Sequence, residues 1–504
     1  MTTTVPTEQS STAEPDVRDE GHVDVLIVGA GVSGIGAAHR MRTSYPDRTF
    51  IVLEAKDDRG GTWWTHRFPG VRSDSDLFTY GYRHKPWRGP SIAAGGAILD
   101  YLDEVIEEDD LASRIRYGHR VTGVEWSSAD AAWTVHVTRA DTGERLRFTA
   151  GFLRMCQGYY DHDTPHRPQW PGLDRYEGVL VHPQSWPDDL DLTGKRVVVI
   201  GSGSTATTLV PAIAEKAAHV TMLQRSPSYY FAPPTTHELA AQLEALDVPP
   251  EWTYEIMRRQ YTAQLDEIAR LGTEAPADLH AFLMAEMLPH LPEGTDVEKH
   301  FTPRYRPWQQ RLVMVPDGDM FAAMRDGAVS IVTDTIEEFT EKGVKVASGE
   351  VLEADVVVSA TGFDLSVFGD IPFRVDGEPV DFTERVTWRG LMISGVPNMV
   401  YTFGYLRHSW TLRVDLVEDF VERLDAHMRE RGARTVVPAL RPQDADMPLL
   451  PWIDEDNFSS GYVMRGRDRM FRRGDREPWT HLKEYAQERE TMPAADLDDG
   501  LEYR

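Results

Sequence analysis

The sequence predicts an α/β protein: two parallel-sheet units of one design, with a helical subdomain inserted in the second. Three observations carry the prediction. An apolar strand run leading into a glycine-rich loop occurs twice, as "VDVLIVGAGVSG" and "GKRVVVIGSGSTA". Each is followed, about 25 residues after its first glycine, by a second strand that ends in a charged residue. Between them and the C-terminal third, residues 235–300 repeat apolar side chains at three- and four-residue spacing, as helices do. The first two features together make two Rossmann-like dinucleotide-binding domains.

The first unit is assigned to residues 21–160. Its buried run, Val23 to Val28, enters Gly29, Gly31 and Gly34 and then the small-residue helix start "IGAAHRM". Such glycines let a pyrophosphate approach the backbone and rest on helix N-terminal amides. The next strand, "RTFIVLEAK", ends at Glu54, and 54 − 29 = 25 residues suits one strand–helix–strand unit. An acid there accepts from the hydroxyls of an unphosphorylated ribose. "DRGGTWWTHRFPGVRSDSD" follows, with Gly60-Gly61 for a tight turn and Thr62-Trp63 as a hydroxyl and a flat face for a cofactor.

Residues 161–190, rich in turn formers, read as a linker. The second unit, 191–360, opens with a strand at 196–200 and places Gly201, Gly203 and Ala206 at the same spacing as the first loop. Its second strand ends at Arg225, and 225 − 201 = 24. A guanidinium binds a 2′-phosphate bidentately, and Ser226 can add a hydroxyl, so this site suits NADPH and the first suits FAD. An ordinary solvated arginine is the alternative, disfavoured because position and residue type agree with the loop upstream. The helical insert spans 235–300, "RPWQQRLVMVPDGDMF" gives a proline turn, Arg311 and a short strand, and "DVVVSATGF" returns the chain to the first domain. Residues 361–440 then complete the FAD domain. A C-terminal extension, 441–504, is expected to wrap the surface.

Composition limits the function. The 504 residues allow two or three domains, and 41% hydrophobic content with 13 Trp marks a globular chain. A net charge of −28 excludes a nucleic-acid partner, which needs clustered cations. A single cysteine, Cys156, excludes an intrachain disulfide, a redox cysteine pair and a multi-cysteine metal site. No metal site is expected. The first 20 residues lack a basic region and an apolar stretch, and read as a disordered tail and not a signal peptide. No apolar run approaches the ~20 residues that span a bilayer. A cytoplasmic enzyme with a small-molecule substrate is the expectation.

Between the two glycine loops stands Tyr176-x-Gly178-x-x-x-His182-x-x-x-Trp186-Pro187. This fingerprint resembles that of the class B flavoprotein monooxygenases, and its Trp-Pro ending resembles the Baeyer–Villiger branch. "PGVRSDSDLFTYGYR", "VHPQSWPDDLD", "PWQQRLVMVPDGD" and "SWTLRVDLV" are similar to the ethionamide-activating monooxygenase group and to long-chain alkane hydroxylases. The resemblance covers residues 22 to about 485. It implies FAD along Gly29, Gly31, Ser33, Gly34, Glu54, Gly61, Thr62, Trp63 and Val121. It implies NADP along Arg72, Ser73, Asp74, Gly201, Ser202, Gly203, Ser204, Thr205, Ala206, Thr207, Arg225 and Ser226. Arg311 matches the catalytic arginine, Asp74 the acid that positions it, and His182 the fingerprint histidine that couples domain movement to catalysis.

The implied activity is oxygen insertion from O2 into a ketone, giving an ester or lactone, with sulfides as further substrates. The alternatives are a nitrogen or sulfur oxygenase, an alkane-hydroxylase-like enzyme and, more remotely, a non-catalytic flavin redox sensor. Three positions depart from the pattern. Tyr176 replaces Phe, Phe68 in "RFPG" replaces Tyr, and Leu406-Arg407-His408 in "GYLRHSW" replaces small polar residues. The last departure bears on substrate choice.

Overall fold

The strand entering the first glycine loop runs Val17–Val28 and is flanked by Phe50–Leu53 and Arg145–Met155, all parallel. The structure, a computed structural model, describes residues 17–481 and 484–504. Ile115–Arg116 and Met399–Tyr401 extend the parallel layer on its two sides. At their inner ends, Val25–Val28, Phe50–Leu53 and Leu153–Met155, the strands are buried on both faces, as a covered parallel sheet requires. On its other part the sheet continues into an antiparallel meander of His119–Ser127, Ala132–Arg139 and Arg145–Met155, which Phe373–Val375 joins at the edge.

The strand starts earlier than the sequence suggests. Residues 17–20, read as tail, pair with the start of the 145–155 strand, Val17 opposite Arg145. Charge patterning along an exposed edge holds them: Arg18 pairs with Glu144 at 2.7 Å and Asp19 with Arg147. Residues 1–16 of the expected tail lie outside the described residues.

The second unit is a parallel sheet in the order Val329–Thr333, His219–Gln224, Arg196–Ile200, Val356–Ser359, Val179–Val181. The edge strand Val179–Val181 comes from the segment read as a linker, so the fingerprint lies on an edge strand of this sheet and the turn after it. The strand toward Arg225 ends one residue before it, at Gln224.

The insert is helical, with Glu238–Ala245, Pro250–Glu274, Pro276–Met287 and Val297–Phe301. Its long helix does more than form a separate lobe. Tyr254 and Met257 are buried in the core of the first unit. Arg258 reaches the carbonyls of Phe78 and Gly81 at 3.0 and 2.7 Å and Asp415 at 2.8 Å.

The C-terminal extension does not wrap the surface. Trp452, Ile453 and Trp479 are fully buried, and Glu488 lies in the interior against Arg413 at 2.8 Å. Charge-rich composition misled because these charges pair internally, which offsets their desolvation. No helix among the described residues is long and apolar enough to cross a membrane.

Candidate active site

The two glycine loops solve one steric problem twice. Gly29 has φ +98°, and a Cβ on it would stand 2.7 Å from the Cys156 carbonyl oxygen; Gly201 has φ +133°, and its Cβ would stand 2.3 Å from that of Ala360. In each unit the loop therefore turns directly against the end of the neighbouring strand, which only glycine permits. Gly31 and Gly203 cap the following helices, Val32–Ser44 and Ser204–Ala214. Gly61, at φ +54°, faces Gly31, leaving a backbone-walled groove.

Two cavities open over these loops. The first, about 540 Å³, is lined by Gly29, Gly31, Ser33, Glu54, Gly61, Thr62, Trp63, Arg72, Asp74 and Val121 among others. The second, about 670 Å³, is lined by Gly201, Ser202, Gly203, Ser204, Thr205, Arg225 and Ser226. Asp74, Tyr160, Ser204, Thr205, Arg311 and Phe363 line both.

At this shared boundary Arg311 Nη1 donates to Asp74 Oδ2 at 2.5 Å, and Ser204 Oγ donates to the same oxygen at 3.1 Å. Burial pushes the Asp74 carboxyl up, but the Arg311 charge and these hydrogen bonds outweigh it and hold the group below the usual carboxylate range. The Asp74 carboxylate holds Arg311 well above its usual value. The cation is permanent.

Glu54 also lines the first cavity. Its carboxylate accepts from the Ala30 and Lys56 amides at 2.7 and 2.8 Å, which fixes it beside the glycine loop. Arg225 differs from most arginines here: it is exposed and has no hydrogen bond or ion pair among the described residues. An uncommitted guanidinium beside a glycine loop at a helix N-terminus is chemically suited to an anion.

Other expected contacts fall elsewhere. Ser73, expected against NADP, is 3% exposed and accepts from the Ala93 amide at 3.2 Å, so it lines neither cavity. Ala206 and Thr207 are buried in the first turns of their helix, below the loop. Gly34 sits behind its loop, where a Cβ would meet the Gly29 carbonyl; it serves packing and not contact. Arg72 borders the first cavity and is taken by Asp319 at 2.5 Å. His182 lines neither cavity. Its Nδ1 accepts from the Gln184 amide at 3.1 Å, capping the turn Pro183–Ser185, and burial pushes its pKa down to about 4.

Several lining residues escaped the sequence reading. Gln157, Tyr159 and Tyr160 follow the strand end at Met155, and Trp410 Nε1 donates to Ser33 Oγ at 2.7 Å while its ring stacks on Tyr159. The aromatic run "QGYYDHD" after an apolar strand was the available signal. At the departures, Phe68 and His408 line the first cavity, whereas Arg407 turns away to Glu484 at 2.5 Å and the Asn457 carbonyl at 2.6 Å. His408 Nε2 is 3.0 Å from Asp266 of the insert. Away from both cavities, His39, His84 and Asp109 bring potential ligand atoms within 4.8 Å of one another, but the two rings stack at 3.4 Å and His39 Nδ1 is bound to Asp109.

A model of flavin-binding monooxygenase-like proteins matches residues 86–237, and one of NAD(P)-binding Rossmann-like domains matches residues 27–92. The chain is 44% identical over 466 residues to the FAD-containing monooxygenase EthA of Mycolicibacterium smegmatis, covering 92% of this chain and 93% of that one. It is 40% identical over 484 residues to the probable FAD-binding monooxygenase AlmA of Acinetobacter baylyi, covering 96% of each. Among solved structures, an oxidized steroid monooxygenase bound to NADP matches with a TM-score of 0.74 and 24% identity, over 96% of this chain and 99% of that one. Cyclohexanone monooxygenase in an open form matches with a TM-score of 0.74 and 22% identity, over 96% and 100%. At such identities these two structures speak for the fold.

Proposed function

The chain belongs to the FAD-containing monooxygenase family, and from that premise we propose that it inserts one oxygen atom of O2 into a ketone, forming an ester or lactone. The balance is ketone, O2, NADPH and a proton to ester, NADP⁺ and water. FAD, held along the first cavity, would supply the redox chemistry that links NADPH to O2.

The residues divide the work. The backbone groove of Gly29, Gly31 and Gly61 takes the FAD pyrophosphate, and Glu54 takes a ribose hydroxyl. The Gly201–Thr205 amides and Arg225 take the phosphates of NADPH. Asp74 fixes the direction of Arg311 from across the domain boundary, so its charge is aimed before substrate arrives. A permanent cation there would stabilise negative charge on oxygen beside a substrate carbonyl, the charge that favours ketone oxygenation. Sulfides, whose oxidation needs no such charge, would be the second substrate class.

The observation that carries this reading is the Arg311–Asp74 pair at the boundary shared by both cavities. Product analysis tests it: purified enzyme with NADPH and O2 is given linear ketones, cyclic ketones and sulfides. Esters or lactones from the ketones support the reading. Sulfoxides with no ester from any ketone would make the enzyme a heteroatom oxygenase, and substrate-independent NADPH binding without turnover would make it a sensor.

A further inference from the structure

His66 closes the short helix Thr62–Thr65, its amide donating to the Thr62 carbonyl at 3.0 Å. The side chain is 6% exposed and that exposure faces the first cavity. Its ring lies 5.2 Å from Phe363, which lines both cavities, 5.9 Å from Phe68 and 6.4 Å from His162. His66 therefore borders the first cavity close to the region it shares with the second.

The two ring nitrogens differ. Nδ1 is fully buried with no hydrogen-bond partner. Nε2 makes no hydrogen bond among the described residues and is not a buried atom, so it is the nitrogen open to the cavity. A neutral imidazole carries one proton. Buried unpaired N–H groups are rarer and more costly than unpaired acceptors, so the proton belongs on Nε2. Burial, reinforced by His162 and His182, pushes the pKa of His66 down to about 3, and the ring stays neutral near pH 7.

We propose that His66 presents a neutral Nε2–H donor to FAD, at a carbonyl oxygen or ring nitrogen of the isoalloxazine. The assignment rests on the reading of the first cavity as the FAD site. A phosphate would call for a cation or for helix amides, which the glycine loop already supplies. A neutral donor set among Phe68 and Phe363 suits an uncharged heterocycle edge. His66 is thus a positioning residue for the flavin, distinct from the charge carried by Arg311.

The test combines FAD titration of deflavinated protein, followed by flavin fluorescence, with flavin absorption spectra of the reloaded protein. Wild-type protein binds FAD one to one. His66→Phe weakens binding on the order of tenfold, as loss of one donor to a desolvated acceptor does, and shifts the flavin absorption band. His66→Asn, which keeps an N–H, recovers most of both. Independently of any variant's folding, ¹⁵N-histidine NMR of the wild type shows His66 as the Nε2–H tautomer from pH 6 to 9, with its Nε2 signal moving on FAD addition. Unchanged FAD affinity and an unchanged spectrum in folded His66→Phe would overturn the proposal, as would an Nδ1–H tautomer or an imidazolium at pH 7. Failure of the wild type itself to bind FAD would overturn the cofactor reading first, and this outcome is distinct.

Discussion

Arg311 and Asp74 come from different domains and meet at 2.5 Å, with Ser204 sharing the same carboxylate oxygen. The pair joins two segments 237 residues apart in sequence. One contact holds the guanidinium at the edge shared by both cavities.

Arg311→Ala should lower ketone conversion a hundredfold or more, roughly the loss seen when a charge-stabilising donor is removed. Flavin reduction by NADPH should fall much less, since hydride transfer does not develop the same oxygen charge. Sulfide oxidation should be intermediate. Stopped-flow reduction beside product yields for a ketone and a sulfide checks this, and wild-type ketone conversion would remove Arg311 from the mechanism.

Asp74→Asn keeps the shape but removes the charge that aims Arg311. Its folded-state pKa is held below the usual carboxylate value, so the pair's contribution is present above that value and lost as pH falls through the lowered one. In wild type the pair is intact through pH 5–9. Steady-state kinetics of Asp74→Asn should show a fall in kcat for ketones with smaller change in the KM for NADPH.

Arg225→Ala should raise the KM for NADPH at least about tenfold, as loss of a phosphate-specific contact does, and leave that for NADH nearly unchanged. Because Arg225 has no partner among the described residues, the substitution breaks no protein contact. Equal effects on both coenzymes would show that the second cavity does not read the 2′-phosphate.

Acid sensitivity follows from buried histidines. The pKa of His66 is pushed down to about 3 and that of His182 to about 4, each by burial first. Below about pH 6.5 the unfolded chain takes up protons that the folded chain refuses, so stability falls as pH drops from 6.5 toward 4, by up to about 1.4 kcal/mol per pH unit for each. Urea unfolding at pH 7.5 and pH 5 should show the loss, and His182→Asn should reduce it. That variant should also keep both cofactors while turning over more slowly, since His182 lies beside the Gly362 backbone, which lines the second cavity, and touches neither cavity itself.

What the sequence made legible is what local chemistry encodes. Gly29 and Gly201, Glu54 and Arg225 stand at fixed distances within one strand–helix–strand unit, so spacing alone locates them. Ser73 was misjudged because one rotation of an extended backbone separates a cavity-facing residue from a buried one, and Asp74 next to it faces the cavity. The burial of Trp452 against Phe403, of Trp479 against Asp444 and of Arg258 against Phe78 was not legible, since these contacts join segments 49, 35 and 180 residues apart. His66 lay in a stretch already noted for its glycines and aromatics. Only the third dimension shows which of its nitrogens is buried and which opens to the cavity.

Residues 436–503 add contacts of their own to the first unit. Strand Leu501–Tyr503 pairs with Val436–Pro438, Trp388 donates to the Asp499 carbonyl, and Glu488 neutralises the interior Arg413. The sheet of the second unit, by contrast, is drawn wholly from residues 179–359. During synthesis that inner unit has all its strands well before the outer one does. The larger sheet gains its last strand, Met399–Tyr401, only after its neighbour has all five of its own.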